Sequence, residues 1–260
     1  MLVAKQLSLQ LGQKQVLHSI DLQVREGDFL ALLGANGAGK SSLLSLLSAE
    51  RPLQQGSISL NGRALASLSN KELARQRAVL PQSSPLFFPF AAEEVVRMGR
   101  LPWGEGRQSS MAIVEQCLAL AQVVHLAKSA YPMLSGGEKQ RVQLARVLAQ
   151  LWPFRPGQLL LLDECTASLD PLHQQQVFAL AKWLSYQGLM VIAVVHDLQL
   201  AAQYANRLAL LAAGRILVQG SPQQVLTPEH LHQAYHGFEV EVMAQQESVL
   251  LRPKTLLFNP

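Results

Sequence analysis

The chain has 260 residues, 49% of them hydrophobic, and a formal net charge of +4 at pH 7. This length suits one folded unit with lobes, and the scattered basic residues give no support to a nucleic-acid surface. A membrane helix needs about 18 consecutive apolar residues, and no run of that length occurs, so we expect no membrane span. The first residues lack a secretory signal pattern, so we expect no secretory signal. The two cysteines, Cys117 and Cys165, lack metal-ligand spacing and are expected to be reduced.

The first third of the chain is predicted to contain several strands. Residues 2–10 and 15–24 alternate in β fashion around a glycine turn, which predicts an antiparallel hairpin. A third strand is predicted over residues 56–60, before an Asn-Gly turn, and a short one over 79–82 that stops at Gln82.

The segment from Gly34 to Ser41 matches the phosphate-binding pattern Gly-x4-Gly-Lys-Ser between a predicted buried strand and a helix start. Its glycines let backbone amides point at an anion, and the helix dipole adds to that field. We expect Lys40 to bind the β- and γ-phosphates and the Ser41 hydroxyl to bind Mg²⁺. The predicted nucleotide-binding residues here are Gly34, Ala35, Asn36, Gly37, Ala38, Gly39, Lys40, Ser41 and Ser42.

From residue 91 to residue 150 the pattern is helical, which predicts an inserted helical lobe. An amphipathic helix is predicted over Met111 to Lys128. A second helix opens with Ser135-Gly136-Gly137-Glu138, a capping box, and runs to about Gln150. Its free amides, glycine pair and dipole predict an anion site, whereas a capped surface helix would not need the glycines.

The second half of the chain alternates strands and helices, which predicts a parallel sheet. The apolar strand over 159–164 ends in Asp163, the expected second Mg²⁺ anchor, and Glu164, which is expected to orient or deprotonate the attacking water. A strand over 189–195 places His196 at its carboxyl end, where it would contact the γ-phosphate unless it is an ordinary core histidine.

The last part of the chain is predicted to close the sheet with a hairpin over residues 208–211 and 215–218. Ser221-Pro222 and Thr227-Pro228 are typical helix starts, and strand-like alternation follows Gly237.

The motif order is similar to that of the ABC ATPases, and the resemblance covers nearly the whole chain. The motifs that carry it are Gly34 to Ser41 (Walker A), Gln82 (Q-loop), Leu134 to Glu138 (signature), Leu159 to Glu164 (Walker B), Ser168 to Asp170 (D-loop) and His196 (H-loop). The resemblance implies an α/β P-loop fold with a mixed, largely parallel core sheet, an antiparallel β lobe and a helical lobe. It implies a single ABC ATPase domain over 1–260, in which 1–82 and 151–260 form the core with the β lobe and 83–150 the helical lobe.

The family also implies cofactors and partners. Two ATP molecules with Mg²⁺ would lie in a head-to-tail homodimer, each between one subunit's P-loop and the other's Ser135, Gly136 and Gly137, with Gln82 joining Ser41 and Asp163 around Mg²⁺. Hydrolysis would drive an integral membrane permease dimer from the cytoplasmic face of the inner membrane. A periplasmic substrate-binding protein would be an indirect partner, and no nucleic acid is expected.

The chain departs from the family pattern at two positions. Leu11 aligns where an aromatic residue usually stacks on adenine, with Val16 as another candidate platform, and Cys165 replaces a common proline. Leu11 predicts weak contact with adenine, whereas Cys165 should not affect the carboxylates of Asp163 and Glu164.

Two stretches favour a subgroup. Residues 87–100 resemble importers of ferric chelates, cobalamin and haem, and residues 148–153 resemble haem-importer ATPases most. We expect haem as cargo, with a ferric siderophore or cobalamin as alternatives. A soluble ABC ATPase of translation or DNA repair is disfavoured, since the chain has neither two ATPase units nor a coiled-coil insertion, and a binding-only switch is disfavoured by Glu164.

A proline-broken aromatic segment is predicted to dock the permease. Residues 85–90, with Arg97, Met98, Arg100 and Trp103, would form the docking groove, unless the phenylalanines belong to the core.

Overall fold

The computed structural model describes residues 1–82, 86, 88–166, 168–235, 240–244 and 249–253. Its strands are β1 (Leu2–Leu11), β2 (Lys14–Val24), β3 (Phe29–Leu33), β4 (Gln55–Leu60), β5 (Arg63–Ala64), β6 (Arg77–Leu80), β7 (Leu159–Asp163), β8 (Met190–Val194), β9 (Arg207–Ala212), β10 (Arg215–Gly220), β11 (Val240–Ala244) and β12 (Val249–Pro253). Its α-helices are α1 (Lys40–Leu47), α2 (Asn70–Gln76), α3 (Ala92–Met98), α4 (Arg107–Leu120), α5 (Gly136–Leu151), α6 (Pro171–Tyr186), α7 (Leu198–Tyr204), α8 (Pro222–Val225) and α9 (Pro228–Ala234).

A six-stranded sheet with the order β10-β9-β3-β8-β7-β6 forms the centre of the molecule. All its neighbouring strands are parallel except β10, which returns antiparallel to β9. Every residue of β3 and β8 is buried, as expected for strands covered on both faces. The mixed, largely parallel core sheet predicted from the sequence is therefore confirmed.

An antiparallel sheet with the order β2-β1-β4-β5 covers one face of the central sheet. Because successive strand residues point to opposite faces, Leu30 and Leu32 of β3 pack in the core shared with this sheet. Phe29, Ala31 and Leu33 instead pack in the core shared with the helices. The hairpin predicted at the start of the chain is confirmed, and it forms part of this antiparallel sheet.

Between residues 92 and 151 the structure contains only α-helices, short 3-10 turns and loops. The prediction of one helix over Met111 to Lys128 is wrong at both ends, since α4 begins at Arg107 and ends at Leu120. Gln122 adopts a left-handed φ of 57°, which stops the helix, and a separate 3-10 turn follows over Val124–Leu126.

The last elements of the chain pack against the same core as the helices. The predicted β9–β10 hairpin is present, and α8 and α9 begin at the predicted Ser-Pro and Thr-Pro pairs. Leu231 and Ala234 of α9 and Val249 of β12 are buried in that core. None of the helices in the described ranges is long and apolar enough to cross a membrane.

Candidate nucleotide-binding site

The register of the central sheet brings the predicted site residues to one edge. Leu32 of β3 and Asp163 of β7 both pair with Val194 of β8, so these three strands end at the same level. Leu80 of β6 pairs with Leu162, one position earlier. Because ligands of α/β sheets lie beyond the carboxyl ends of parallel strands, the four following segments converge there.

The P-loop follows β3 and depends on two glycines at left-handed φ values. Gly34 has φ 141°, and a Cβ there would lie 2.2 Å from the Leu211 carbonyl oxygen. Gly39, at φ 104°, precedes α1, and a Cβ there would lie 2.8 Å from the Leu17 side chain. A side chain at either position would therefore push the loop off the elements beneath it.

Lys40 is buried at the centre of this loop. Its Nζ donates hydrogen bonds to the carbonyl oxygens of Gly34, at 2.8 Å, and Ala35, at 3.1 Å. Burial lowers the pKa of the Lys40 amine, and the carboxylates of Glu164 and Asp163 oppose that change. The lysine thus lies between the loop backbone and two acidic groups.

Ser41 and Asp163 form the oxygen-rich part of the site. The Ser41 hydroxyl donates to Asp163 Oδ1 at 3.2 Å. Burial raises the pKa of the Asp163 carboxyl, the Ser41 hydrogen bond lowers it, and nearby Glu164 raises it further. A hydroxyl beside a partly desolvated carboxylate is a donor set that fits Mg²⁺, a hard cation with oxygen ligands.

The Glu164 carboxylate contacts Gln82 and His196, the two candidate site residues that follow other strands of the sheet. Gln82 Nε2 donates to Glu164 Oε2 at 3.0 Å, and His196 Nε2 lies 2.7 Å from Oε1. Since an ionised carboxylate only accepts hydrogen bonds, Nε2 of His196 carries the hydrogen in this pair. The structure therefore brings Gln82, Glu164 and His196 into one hydrogen-bonded group.

A cavity of about 260 Å³ opens over the P-loop and reaches Glu164. Lys14 and Val16 of β2 form its far wall, whereas Leu11 does not line it. Leu11, which the sequence aligned with the adenine-stacking position, is 37% exposed at the end of β1, and its contact with adenine stays a prediction. The sequence marked Val16 only as an alternative and gave no signal for Lys14.

The second predicted anion site lies at the start of α5, where the predicted capping box is present. The Ser135 side chain accepts from Glu138 N–H at 3.3 Å, and the Glu138 carboxylate accepts from Ser135 N–H at 2.8 Å. The Ser135 hydroxyl also donates to the Glu138 carboxylate at 2.7 Å, and this bond and the one from the Ser135 N–H lower the pKa of Glu138. In the described part of the chain, none of the residues from Ser135 to Glu138 lines the cavity over the P-loop.

Among the described residues, nothing requires glycine at the two glycine positions of this helix start. Neither Gly136 nor Gly137 has a positive φ. A Cβ on Gly136 would lie 3.8 Å from Ser168, and one on Gly137 3.4 Å from Ser168 O and Leu169, which are ordinary contacts.

Cys165 follows Glu164 and is fully enclosed. Burial raises the pKa of its thiol to about 12, so the thiol is neutral and packs as a small apolar group. The carboxylates beside it keep the contacts described above.

A shallow groove lies on α3, in the region predicted to dock a partner. Phe90, Glu94, Arg97, Met98 and Leu101 line it, and we call these five residues the α3 groove. Leu101 is 74% exposed, while Phe90 is half-buried and packs against the core. Of the other predicted docking residues, Phe88 is 69% exposed, and Pro85 and Phe87 lie outside the described residues.

The prediction that Arg100 and Trp103 belong to this groove is wrong. Arg100 is buried, pairs with Glu105 and donates to the carbonyl oxygens of Ala149 and Trp152. The Trp103 ring lies between Arg100 and Arg75, whose guanidinium carbons are 4.8 and 5.0 Å from its centroid. Arg100 therefore joins the end of α3 to the end of α5, and Trp103 contacts Arg75 of α2.

The chain is similar in sequence to known proteins. The family model described as "ABC transporter" matches residues 17–167. The chain is 49% identical over 247 residues to the hemin import ATP-binding protein HmuV of Pseudomonas entomophila, covering 95% of this chain and 96% of the relative. It is 48% identical to the HmuV protein of Gloeobacter violaceus, covering 94% of this chain and 90% of the relative.

A solved structure described as a metal-chelate type ABC transporter in an inward-facing conformation has the same fold. It superposes with a TM-score of 0.80 at 26% identity, covering 98% of this chain and 97% of the other. The extent of these matches and the converging P-loop, Asp163 and Glu164 lead to one conclusion. The chain belongs to the ABC transporter family and is one of its ATP-binding, ATP-hydrolysing subunits.

Proposed function

We propose that this chain is the energy-coupling subunit of a haem importer. Relatives named hemin import ATP-binding proteins match nearly the full chain at close to half identity. A ferric siderophore or cobalamin is the alternative cargo, and both would use the same ATPase chemistry.

The site residues have separate roles in that chemistry. The Lys40 amine and the backbone amides from Gly34 to Ser42 bind the phosphates. Glu164 orients and deprotonates the attacking water, and its bonds to His196 and Gln82 fix the carboxylate in the required direction.

Ser41, Asp163 and Gln82 would hold Mg²⁺ through a hydroxyl, a carboxylate and an amide oxygen. The bound ion would offset negative charge on the phosphates during transfer. The contact between the Ser41 hydroxyl and Asp163 supports this assignment, because it places two of the three oxygen donors together.

The active unit we propose is a head-to-tail homodimer. Ser135, Gly136 and Gly137 of one subunit would close over the nucleotide on the P-loop of the other. Support comes from the glycines, which none of the described residues requires, and from the separation of this helix start from the cavity over the P-loop. Residues 83–150 would act as a lobe that carries this helix start.

The α3 groove is the structural observation that most supports a role in transport. It is an apolar surface with an exposed leucine and an adjacent exposed Phe88, on the segment that follows Gln82. Exposed apolar patches on folded proteins mark partner sites. A cytoplasmic helix of an integral permease dimer would dock here, so the subunit would sit peripherally on the cytoplasmic face of the inner membrane, with a periplasmic binding protein as indirect partner.

Reconstitution tests the cargo. The chain would be purified with the permease that it binds in detergent, and the complex placed in liposomes with ATP inside or outside. We expect ATP-dependent accumulation of haem above that of a ferric siderophore or cobalamin. Accumulation of one of the latter without haem contradicts the haem assignment.

Groove variants test the docking surface separately. Leu101→Ser and Phe88→Ser should leave the isolated subunit folded and able to hydrolyse ATP but remove permease binding. Tyr186→Ser is the matched control, because Tyr186 is 71% exposed on α6, outside the groove. Equal permease binding by groove variants and control would show that docking occurs elsewhere.

A further inference from the structure

The first residue of the P-loop is held by a tyrosine near the other end of the chain. The Gly34 N–H donates to the Tyr235 hydroxyl oxygen at 3.0 Å, across 201 sequence positions. Tyr235 directly follows α9 and is half-buried against the main core. No sequence motif marks this tyrosine, and it lies beyond residues 17–167, which match the family model.

Gly34 is also where the catalytic lysine is anchored. Its carbonyl oxygen accepts a hydrogen bond from Lys40 Nζ at 2.8 Å. Its backbone lies so close to Leu211 that a Cβ would meet the Leu211 oxygen at 2.2 Å. The same glycine is thus bonded through its N–H to Tyr235 and through its carbonyl to Lys40, so its orientation affects where the lysine amine lies.

The element that carries Tyr235 is itself fixed. Leu231 and Ala234, on the preceding helix α9, are buried, and α9 packs against β9 and β10. Burial raises the pKa of the Tyr235 phenol, and the Gly34 N–H opposes that rise. The Tyr235 hydroxyl, which accepts the hydrogen bond from Gly34, is therefore held next to a well-packed helix.

The same C-terminal segment also contacts the helix that follows His196. Gln199 on α7 donates to the Val249 carbonyl at 3.0 Å and accepts from the Leu251 N–H at 3.1 Å. Tyr235 therefore contacts the P-loop, and β12 contacts the helix that follows His196.

We propose that Tyr235 is a positioning residue for ATP hydrolysis, which sets the entry of the P-loop and thereby preorganises Lys40 for the phosphates. Tyr235 does not line the cavity over the P-loop, so it would act through Gly34. The proposal depends on the ATPase activity and on no particular cargo.

Tyr235→Phe in the full-length chain tests the proposal, since it removes the acceptor and keeps the ring. Tyr186→Phe, on an exposed tyrosine of α6, is the control. In Tyr235→Phe we expect MgADP affinity to fall and the KM for MgATP to rise about 3- to 10-fold, as loss of the hydrogen bond from Gly34 predicts, while kcat changes less.

The readouts separate positioning from packing. A purely structural tyrosine would lower Tm and leave nucleotide affinity unchanged, and that result overturns the proposal, as does no change in either quantity. If Tyr235→Phe is less stable, the rise in Tm that saturating MgADP produces gives its affinity on the folded population. A rise equal to that of the parent chain also overturns the proposal.

Discussion

Glu164 Oε1 lies 2.7 Å from Nε2 of His196, although the two residues follow different strands. The contact arises because β7 and β8 are neighbours in register and because Glu164 adopts a left-handed φ of 45°. For a residue other than glycine, such a conformation costs on the order of 1–3 kcal/mol and is typical of functional sites. The turn directs the carboxylate toward His196 and Gln82.

Glu164→Gln should bind ATP but hydrolyse it at least about 100-fold more slowly, because the amide keeps the shape and loses the basic oxygen that general-base catalysis requires. Phosphate release measures the rate, and size-exclusion chromatography with ATP should show a stable dimer. Glu115→Gln, at an exposed position of α4, is the control and should match the parent chain. Hydrolysis by Glu164→Gln at the parent rate would disprove the assigned role.

Asp163→Asn should stabilise the nucleotide-free chain at neutral pH. Burial raises the folded-state pKa of Asp163 above its ordinary value of 3.8, so the folded chain holds this proton more tightly than the unfolded chain. The parent chain therefore loses stability as pH rises from 3.8 through the raised pKa, and Asn removes this loss while its amide oxygen still accepts from Ser41.

Urea unfolding at several pH values measures this difference. The gap between Asp163→Asn and the parent should widen through that window and stay constant above it, while Mg²⁺-dependent hydrolysis is lost. Asp21→Asn, at an exposed position of β2, is the control for the substitution itself. A variant that is less stable than the parent at pH 7 would contradict the expectation.

Gly137→Ala should separate folding from catalysis. Among the described residues a Cβ there meets only ordinary contacts, and alanine is favoured over glycine within helices by up to about 1 kcal/mol, so stability should be unchanged or higher. ATP hydrolysis should nevertheless fall strongly, because the added methyl group would lie where the nucleotide on the partner subunit approaches. Gly106→Ala is the control, since the nearest atom to its Cβ would be 4.0 Å away. Full activity of Gly137→Ala would argue against the proposed dimer site.

Arg100→Ala should destabilise the isolated subunit by about 3 kcal/mol, because it leaves the partly buried Glu105 and two backbone carbonyls without their cationic partner. Arg97→Ala, in the α3 groove, should leave unfolding of the isolated subunit unchanged. Chemical denaturation measures both variants. Equal stability of the two variants would contradict the structural role assigned to Arg100.

Local sequence determined the elements whose signals are short-range. The P-loop glycines, the Ser135 capping box and the apolar strand before Asp163 each carry their own backbone preference, and the corresponding elements were predicted nearly to the residue. The end of α4 was missed because its apolar pattern continues past Gln122, where the backbone adopts a left-handed φ.

By itself, then, the sequence determined the fold class, the family and the residues that could act on phosphates, since motif spacing and hydrophobic period record them directly. Only the tertiary structure decided which residues meet. It placed Lys14 and Val16 rather than Leu11 over the P-loop, buried Arg100 between helices, and joined Tyr235 to Gly34. These contacts depend on strand register and on packing between segments far apart in the chain, which no local pattern specifies.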